Sequence, residues 1–124
     1  MKITKRSDFP KCLQPFKQLK GICIGKCVNK NNTISTNHIA HAHCYGDGFR
    51  GWICLRFKYQ LRERLTLLHE VAHLIANKSP KTPSHGKKWK DILVKIGGTY
   101  KSYSYTHNYR TYTYLDFTRR SNRI

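Results

Sequence analysis

The chain is 124 residues long, enough for one small domain with a modest core. A hydrophobic share of 39% and an aromatic share of 12% exclude a largely disordered chain, and no apolar run approaches the length of a membrane-spanning helix. Lys and Arg number 24 against 6 Asp and Glu, a formal net charge of +18 that predicts attraction to polyanions, nucleic acid above all.

Residues 1–32 read as an N-terminal segment. Met1 to Pro10 is charged and lacks the apolar stretch of a secretory signal, so a cytoplasmic location is expected, in the producing cell or its host. Phe9 to Leu19, with Leu13, Phe16 and Leu19 apolar, predicts a short helix. Ile22 to Val28 predicts a strand, weakened by Gly21 and Gly25, and Lys26 to Asn32 a polar turn.

Thr33 to Tyr45 reads as a strand and Tyr45 to Gly51 as a glycine-rich turn. Trp52 to Tyr59 reads as a second strand, alternating Trp52, Cys54, Arg56 and Lys58 with Ile53, Leu55, Phe57 and Tyr59. The two predict a hairpin. Strand geometry puts His41 and His43 on one face and His38 on the other. These histidines suggest a metal, but lining a cleft or binding phosphate explains them better, and His41, His43 and Trp52 are candidate substrate-binding residues. Cysteines are odd in number: Cys12, Cys23, Cys27, Cys44 and Cys54. Cys23 and Cys27 are spaced C-x3-C, not the C-x2-C of zinc ribbons, and no second pair follows. Free, partly buried thiols are the expectation. A second structural zinc and a disulfide, with Cys44 and Cys54 as cross-strand neighbours, are the alternatives.

Gln60 to Asn77 contains no Pro or Gly and predicts one helix. Leu61, Leu65, Leu68, Ala72 and Ile75 make one apolar stripe, and Leu67, Val71 and Leu74 a second. Arg62, Thr66, His69, Glu70 and His73 form the polar sector, so the helix should be packed on two sides with that sector lining a cleft. His69 and His73 lie about 40° apart around the axis and can share one metal ion; Glu70, about 60° from His73, can reach a water there without being a ligand. This is the H-E-x-x-H pattern of zinc hydrolases.

Such a site needs a third protein ligand. Glu63 and Glu70 are the only Glu residues, which removes a distant Glu ligand, and Ser79 stands where the compact pattern has its third His. His85, His107, Asp91 and Asp116 remain. Lys78 to Pro83 is a short stiff connector. Ser84 reads as an N-cap, Trp89, Ile92, Leu93 and Ile96 as the buried face of a second helix, and Gly97-Gly98 as its end. His85, four residues before Trp89, shares that face and is the best placed. Asp91, about 200° from Trp89, should face solvent.

Six of the eight tyrosines fall between Tyr100 and Tyr114, and their alternation on either side of Thr106-His107-Asn108 predicts a hairpin. Tyr103, Tyr105, Arg110 and Tyr112 are candidate nucleic-acid contacts, since aromatics among cations can stack on unpaired bases. A hairpin packed on the core is the equal alternative. A tyrosine hydroxyl or His107 could also stabilise an oxyanion.

His69-Glu70-Val71-Ala72-His73, Ser84-His85-Gly86-Lys87-Lys88-Trp89 and Ile96-Gly97-Gly98 together resemble the SprT-like (Spartan-related) zinc metalloprotease domain, whose pattern is H-E-x-x-H, a variable loop, then H-G-x-x-aromatic. The resemblance covers roughly Thr33 to Gly98. It implies an α+β, zincin-like fold with a hairpin ahead of the H-E-x-x-H helix, one Zn2+ on His69, His73 and His85, and Glu70 as catalytic base. It also implies a protein substrate laid along the strand beside the metal. The expectation is a single domain over 1–124, with a catalytic core at 33–98 and a basic Tyr-rich hairpin and tail at 99–124. Its expected function is zinc-dependent endopeptidase action on DNA-associated proteins, as a monomer, with DNA (single strands included) as partner and no membrane. Two alternatives stand beside it: a nucleic-acid-binding module whose zinc is only structural, and a phage or plasmid regulatory protease without DNA dependence.

Overall fold

Apolar residues at alternate positions of short strands build one face of a sheet, and the register aligns them. A computed structural model describes residues 1–31, 34 and 39–98 and the strands 102–107 and 110–115. Its elements are β1 (Lys2–Ile3), β2 (Gly21–Ile24), β3 (Ala40–Ala42), β4 (Trp52–Leu55), α1 (Arg64–Ala76), α2 (Lys87–Lys95), β5 (Ser102–His107) and β6 (Arg110–Leu115). The fold is α+β. A four-stranded mixed sheet runs β1-β2-β4-β3, with β2 parallel to β4 and the other two pairs antiparallel.

Ile22 pairs with Ile53, Ile24 with Leu55, and Ala40 with Leu55. This row packs against Leu67, Val71 and Leu74 of α1 and against Leu13 and Leu19 of the N-terminal segment. The alternate row, Cys23, Cys54 and His41 side by side, faces away from the helices. Leu68, Ala72 and Ala76, on the other flank of α1, pack with Trp89 and Leu93 of α2. The helix is therefore buried on two sides, as its two stripes require, and its remaining sector is left for the cleft.

Several boundaries differ from the sequence expectation. The helix begins at Arg64, not Gln60. The side chain of Gln60 accepts the Phe57 N–H at 2.8 Å and holds a 3-10 turn over Lys58–Arg62, after which the chain swings at Glu63 (φ −96°, ψ 83°). Of the strand expected over Thr33 to Tyr45, the described residues show Ala40–Ala42; residues 32, 33 and 35–38, His38 among them, lie outside the described residues. The strand expected over Trp52 to Tyr59 ends at Leu55, and that over Ile22 to Val28 is Gly21–Ile24. Gly21 lies under the Trp52 ring, which a Cβ there would meet at 2.6 Å.

Phe9 to Leu19 is not one helix. Pro15 has no N–H to extend one, and the segment uses 3-10 turns at Arg6–Asp8 and Lys11–Leu13. Arg6 fixes it by donating to the carbonyls of Gln14, Phe16 and Leu19 at 2.9, 2.9 and 2.8 Å. At the other end, α2 starts at Lys87 with Gly86 in the capping position, so Ser84 and His85 sit in the preceding turn. It ends as expected: Gly97 takes φ +99°, and Gly98 returns its N–H to the Leu93 carbonyl at 2.8 Å.

The Tyr-rich hairpin forms as β5 and β6, pairing Tyr103 with Tyr114, Tyr105 with Tyr112 and His107 with Arg110. The side chains of its residues, and Asp116 altogether, lie outside the described residues. Among the described residues no helix is long and apolar enough to cross a membrane.

Candidate metal centre

The polar sector of α1 opens onto a cleft of about 380 Å³. One wall is β3 and its continuation, Ala40 to Tyr45; the other carries His69, Glu70 and His73 of α1, then Asn77, Thr82, Ser84 and His85. Among the described residues β3 lies at one edge of the sheet, beside the cleft.

His69 and His73 meet because they are one helical turn apart. His85 reaches them from the turn before α2, with its ring centroid 4.7 Å from that of Trp89. The three Nε2 atoms form a near-equilateral triangle: 3.2 Å for His69–His73, 3.1 Å for His73–His85 and 3.3 Å for His69–His85. Two imidazole nitrogens on a tetrahedral zinc, each about 2.0–2.1 Å from it, stand about 3.3–3.4 Å apart. Three ring nitrogens converging on one point are a ligand pattern, because neutral imidazoles cannot fill such a triangle with linear hydrogen bonds. Burial, then His73 and His85, holds His69 well below the ordinary histidine range, and burial followed by His85 pushes His73 down to about 3. Both rings are neutral at pH 7 and can offer a lone pair.

Glu70 is 5% exposed. Burial pushes its carboxyl up to about 8, and no described residue pairs with it. A divalent cation on the three histidines would act in the opposite direction and favour the carboxylate. The residues therefore fit a zinc ion with an open fourth position.

Trp89 supports the trio from below. It is fully buried, stacks on His73 with centroids 5.2 Å apart, and donates from Nε1 to the His69 carbonyl at 3.2 Å. Asn77 ties the end of α1 to the turn that delivers His85. Its side-chain amide lies 2.6 Å from His73 Nδ1, and its Nδ2 donates to the Ser84 carbonyl at 3.1 Å. Sequence reading treated Asn77 only as a helix end; a polar residue one turn after His73 was the available signal. Asp91 points to solvent and pairs with Lys87 at 2.6 Å, away from the histidines. Cys44, also on the cleft wall, is pushed up to about 12 by burial and then by Glu70, so its thiol stays protonated and is no nucleophile.

The candidate substrate-binding residues divide. The strand carrying His41 and His43 lines the cleft, but their Nε2 atoms lie 3.2 and 3.3 Å from Cys27 Sγ. Trp52 is not brought to the cleft and packs with Phe49 over the buried Cys23 and Cys54. The cysteines are all free, and the cross-strand partner of Cys54 is His41, not Cys44. The described residues thus hold two groups able to take a metal ion, His69/His73/His85 and Cys27/His41/His43/Cys54, where one ion was expected.

No family model, curated protein or solved structure matches the chain.

Proposed function

We propose that the chain is a zinc-dependent endopeptidase of the SprT-like kind, with a zincin-like arrangement of edge strand, cleft and H-E-x-x-H helix. The observation that carries this reading is the triangle of His69, His73 and His85 nitrogens and, in the same cleft, the buried carboxyl of Glu70, which has no ion-pair partner among the described residues. Zinc bound by the three histidines would supply Lewis acidity toward a peptide carbonyl and bring a water toward ionisation near neutral pH.

The chain's own residues do the rest. The edge strand β3 lies along the cleft and would pair with an extended substrate backbone there. Glu70 accepts a proton from the attacking water and later delivers it to the leaving amine. Its low exposure keeps bulk water from competing for that proton. A merely structural three-histidine site has no use for a buried carboxyl, which is what favours catalysis over a nucleic-acid-binding module.

The net charge of +18 supports delivery to proteins on nucleic acid. The test is a cleavage time course on a basic DNA-binding protein, with and without single-stranded DNA, at low and high salt, and after removal of metal with a chelator. Cleavage should require the metal. It should be faster with DNA at low salt and lose that advantage at high salt, because phosphate contacts release counterions and the polymer raises the effective concentration. Cleavage that persists without metal would sink the zinc reading. Equal rates with and without DNA would leave a protease without DNA dependence.

A further inference from the structure

The second cluster lies on the sheet face turned away from the helices, where the peptidase chemistry makes no use of it. Cys27 follows the end of β2, His41 is in β3, His43 follows it, and Cys54 is in β4. We propose that these four side chains form a closed, structural zinc site that takes the place of a hydrophobic core behind the sheet and pins the edge strand β3 in position.

The separations match that donor set. On a tetrahedral zinc with Zn–S of about 2.3 Å and Zn–N of about 2.0–2.1 Å, two sulfurs stand about 3.8 Å apart and a sulfur and a nitrogen about 3.5 Å. Cys27 and Cys54 Sγ are 3.9 Å apart; Cys27 Sγ lies 3.2 and 3.3 Å from His41 and His43 Nε2, and Cys54 Sγ 3.4 Å from His43 Nε2, with all four donor atoms within 4.8 Å of one another. A sulfur separation of this size is no disulfide. Two thiols and two imidazoles are a soft, four-donor set suited to zinc. Binding would release two thiol protons, and the two thiolates would balance the charge of the ion.

An independent observation lies in the surroundings. His43, 7% exposed, contacts the carboxylate of Asp47 through Nδ1 at 2.5 Å. Asp47 is itself held by the Phe49 N–H at 2.9 Å. A carboxylate at Nδ1 keeps the proton there and leaves the Nε2 lone pair aimed at the sulfurs, the arrangement that orients metal-bound histidines. The Val28 N–H points at Cys54 Sγ at 3.3 Å, a donor suited to a thiolate. Among the described residues the apolar cover around the cluster is Cys23, Val28, Phe49 and Trp52, with Ile34. A domain of this size with no described helix on that face gains from a metal staple.

The geometry also places the site behind the cleft. His41 and His43 alternate along β3 with Ala40 and Ala42, which pack toward α1. A metal on the histidines would fix the edge offered to substrate, a consequence that rests on the peptidase reading; the site itself does not.

The test is metal content and cobalt spectroscopy of the full chain purified under reducing conditions. Wild type should hold about two zinc ions, one per cluster, and His69→Ala/His73→Ala should hold about one. Cobalt in that variant should give the thiolate-to-metal charge-transfer band that a histidine-only site lacks. Asp47→Asn should weaken cobalt binding at the thiolate site about 10–100-fold and leave the histidine site unchanged. A zinc-free double variant, a cobalt complex without the thiolate band, or a Cys27–Cys54 disulfide would each overturn the proposal. Wild-type cobalt protein must show the same band, so a double variant that fails to fold does not shelter it. A thiolate-bound zinc in a chain that cleaves nothing would count against the peptidase alone.

Discussion

The two faces of β3 look onto two clusters able to hold a metal ion, of opposite design. On the helix side, three histidines leave a position open to a cleft, His85 is exposed, and a carboxyl sits buried beside them. On the far side, four donor side chains surround one point, Cys27, His43 and Cys54 are buried, and Asp47 contacts His43 Nδ1. The contrast separates chemistry from architecture. On the proposed reading, an open position with a carboxyl in reach serves a reaction, whereas a full set of ligands without one holds strands together.

The largest expected effect breaks this comparison at its acid. Glu70→Gln keeps the shape of the side chain but cannot accept the water's proton. Cleavage should fall by about 10²–10⁴-fold while zinc content and thermal stability stay near wild type. Wild-type rates in this variant would remove Glu70 from the mechanism and make the two clusters alike.

A smaller effect should come from Asn77, which touches His73 on the helix side. Asn77→Ala removes the amide beside His73 Nδ1 and the link to the Ser84 carbonyl that brings His85 close. Zinc affinity at the histidine site should drop about 10–100-fold, with the thiolate site unmoved in a competition titration. An equal loss at both sites would mean that Asn77 acts on the fold and not on the ligands.

The same contrast explains what the sequence allowed. His69 and His73 were legible because one helix carries both, and the count of four is the helical repeat itself. His85 was legible from its distance to Trp89, although it sits in the turn before α2 and not on it. The far site was not legible. Its ligands come from separate segments, and the pairing of Cys54 with His41 is a matter of register that no local spacing records. The C-x3-C spacing carried no signal of it, since Cys23 shares the buried face but supplies none of the four donor atoms, and all five cysteines are free as expected. Only His41-x-His43, two residues apart on one strand, carried a signal. The start of α1 was misjudged because Gln60 and Leu61 keep the helical period while the Gln60 side chain caps the backbone of Phe57.

The smallest effect sharpens the comparison by what should not change. Asp91 was one of the four candidates for the third ligand, and it is the one the described residues place away from both clusters. It pairs with Lys87 one turn earlier on α2, and the two side chains are 63% and 88% exposed. Exposed pairs of this kind contribute at most about 0.5 kcal/mol, because both groups are well solvated when apart. Asp91→Ala should therefore leave zinc content, cleavage rate and denaturation midpoint within error of wild type. His85→Ala, from the turn just before the same helix, should lose zinc at the open site and cleavage with it. If Asp91→Ala lost metal while His85→Ala kept it, the triangle of histidine nitrogens would not be the site, and the front of the molecule would need another ligand set.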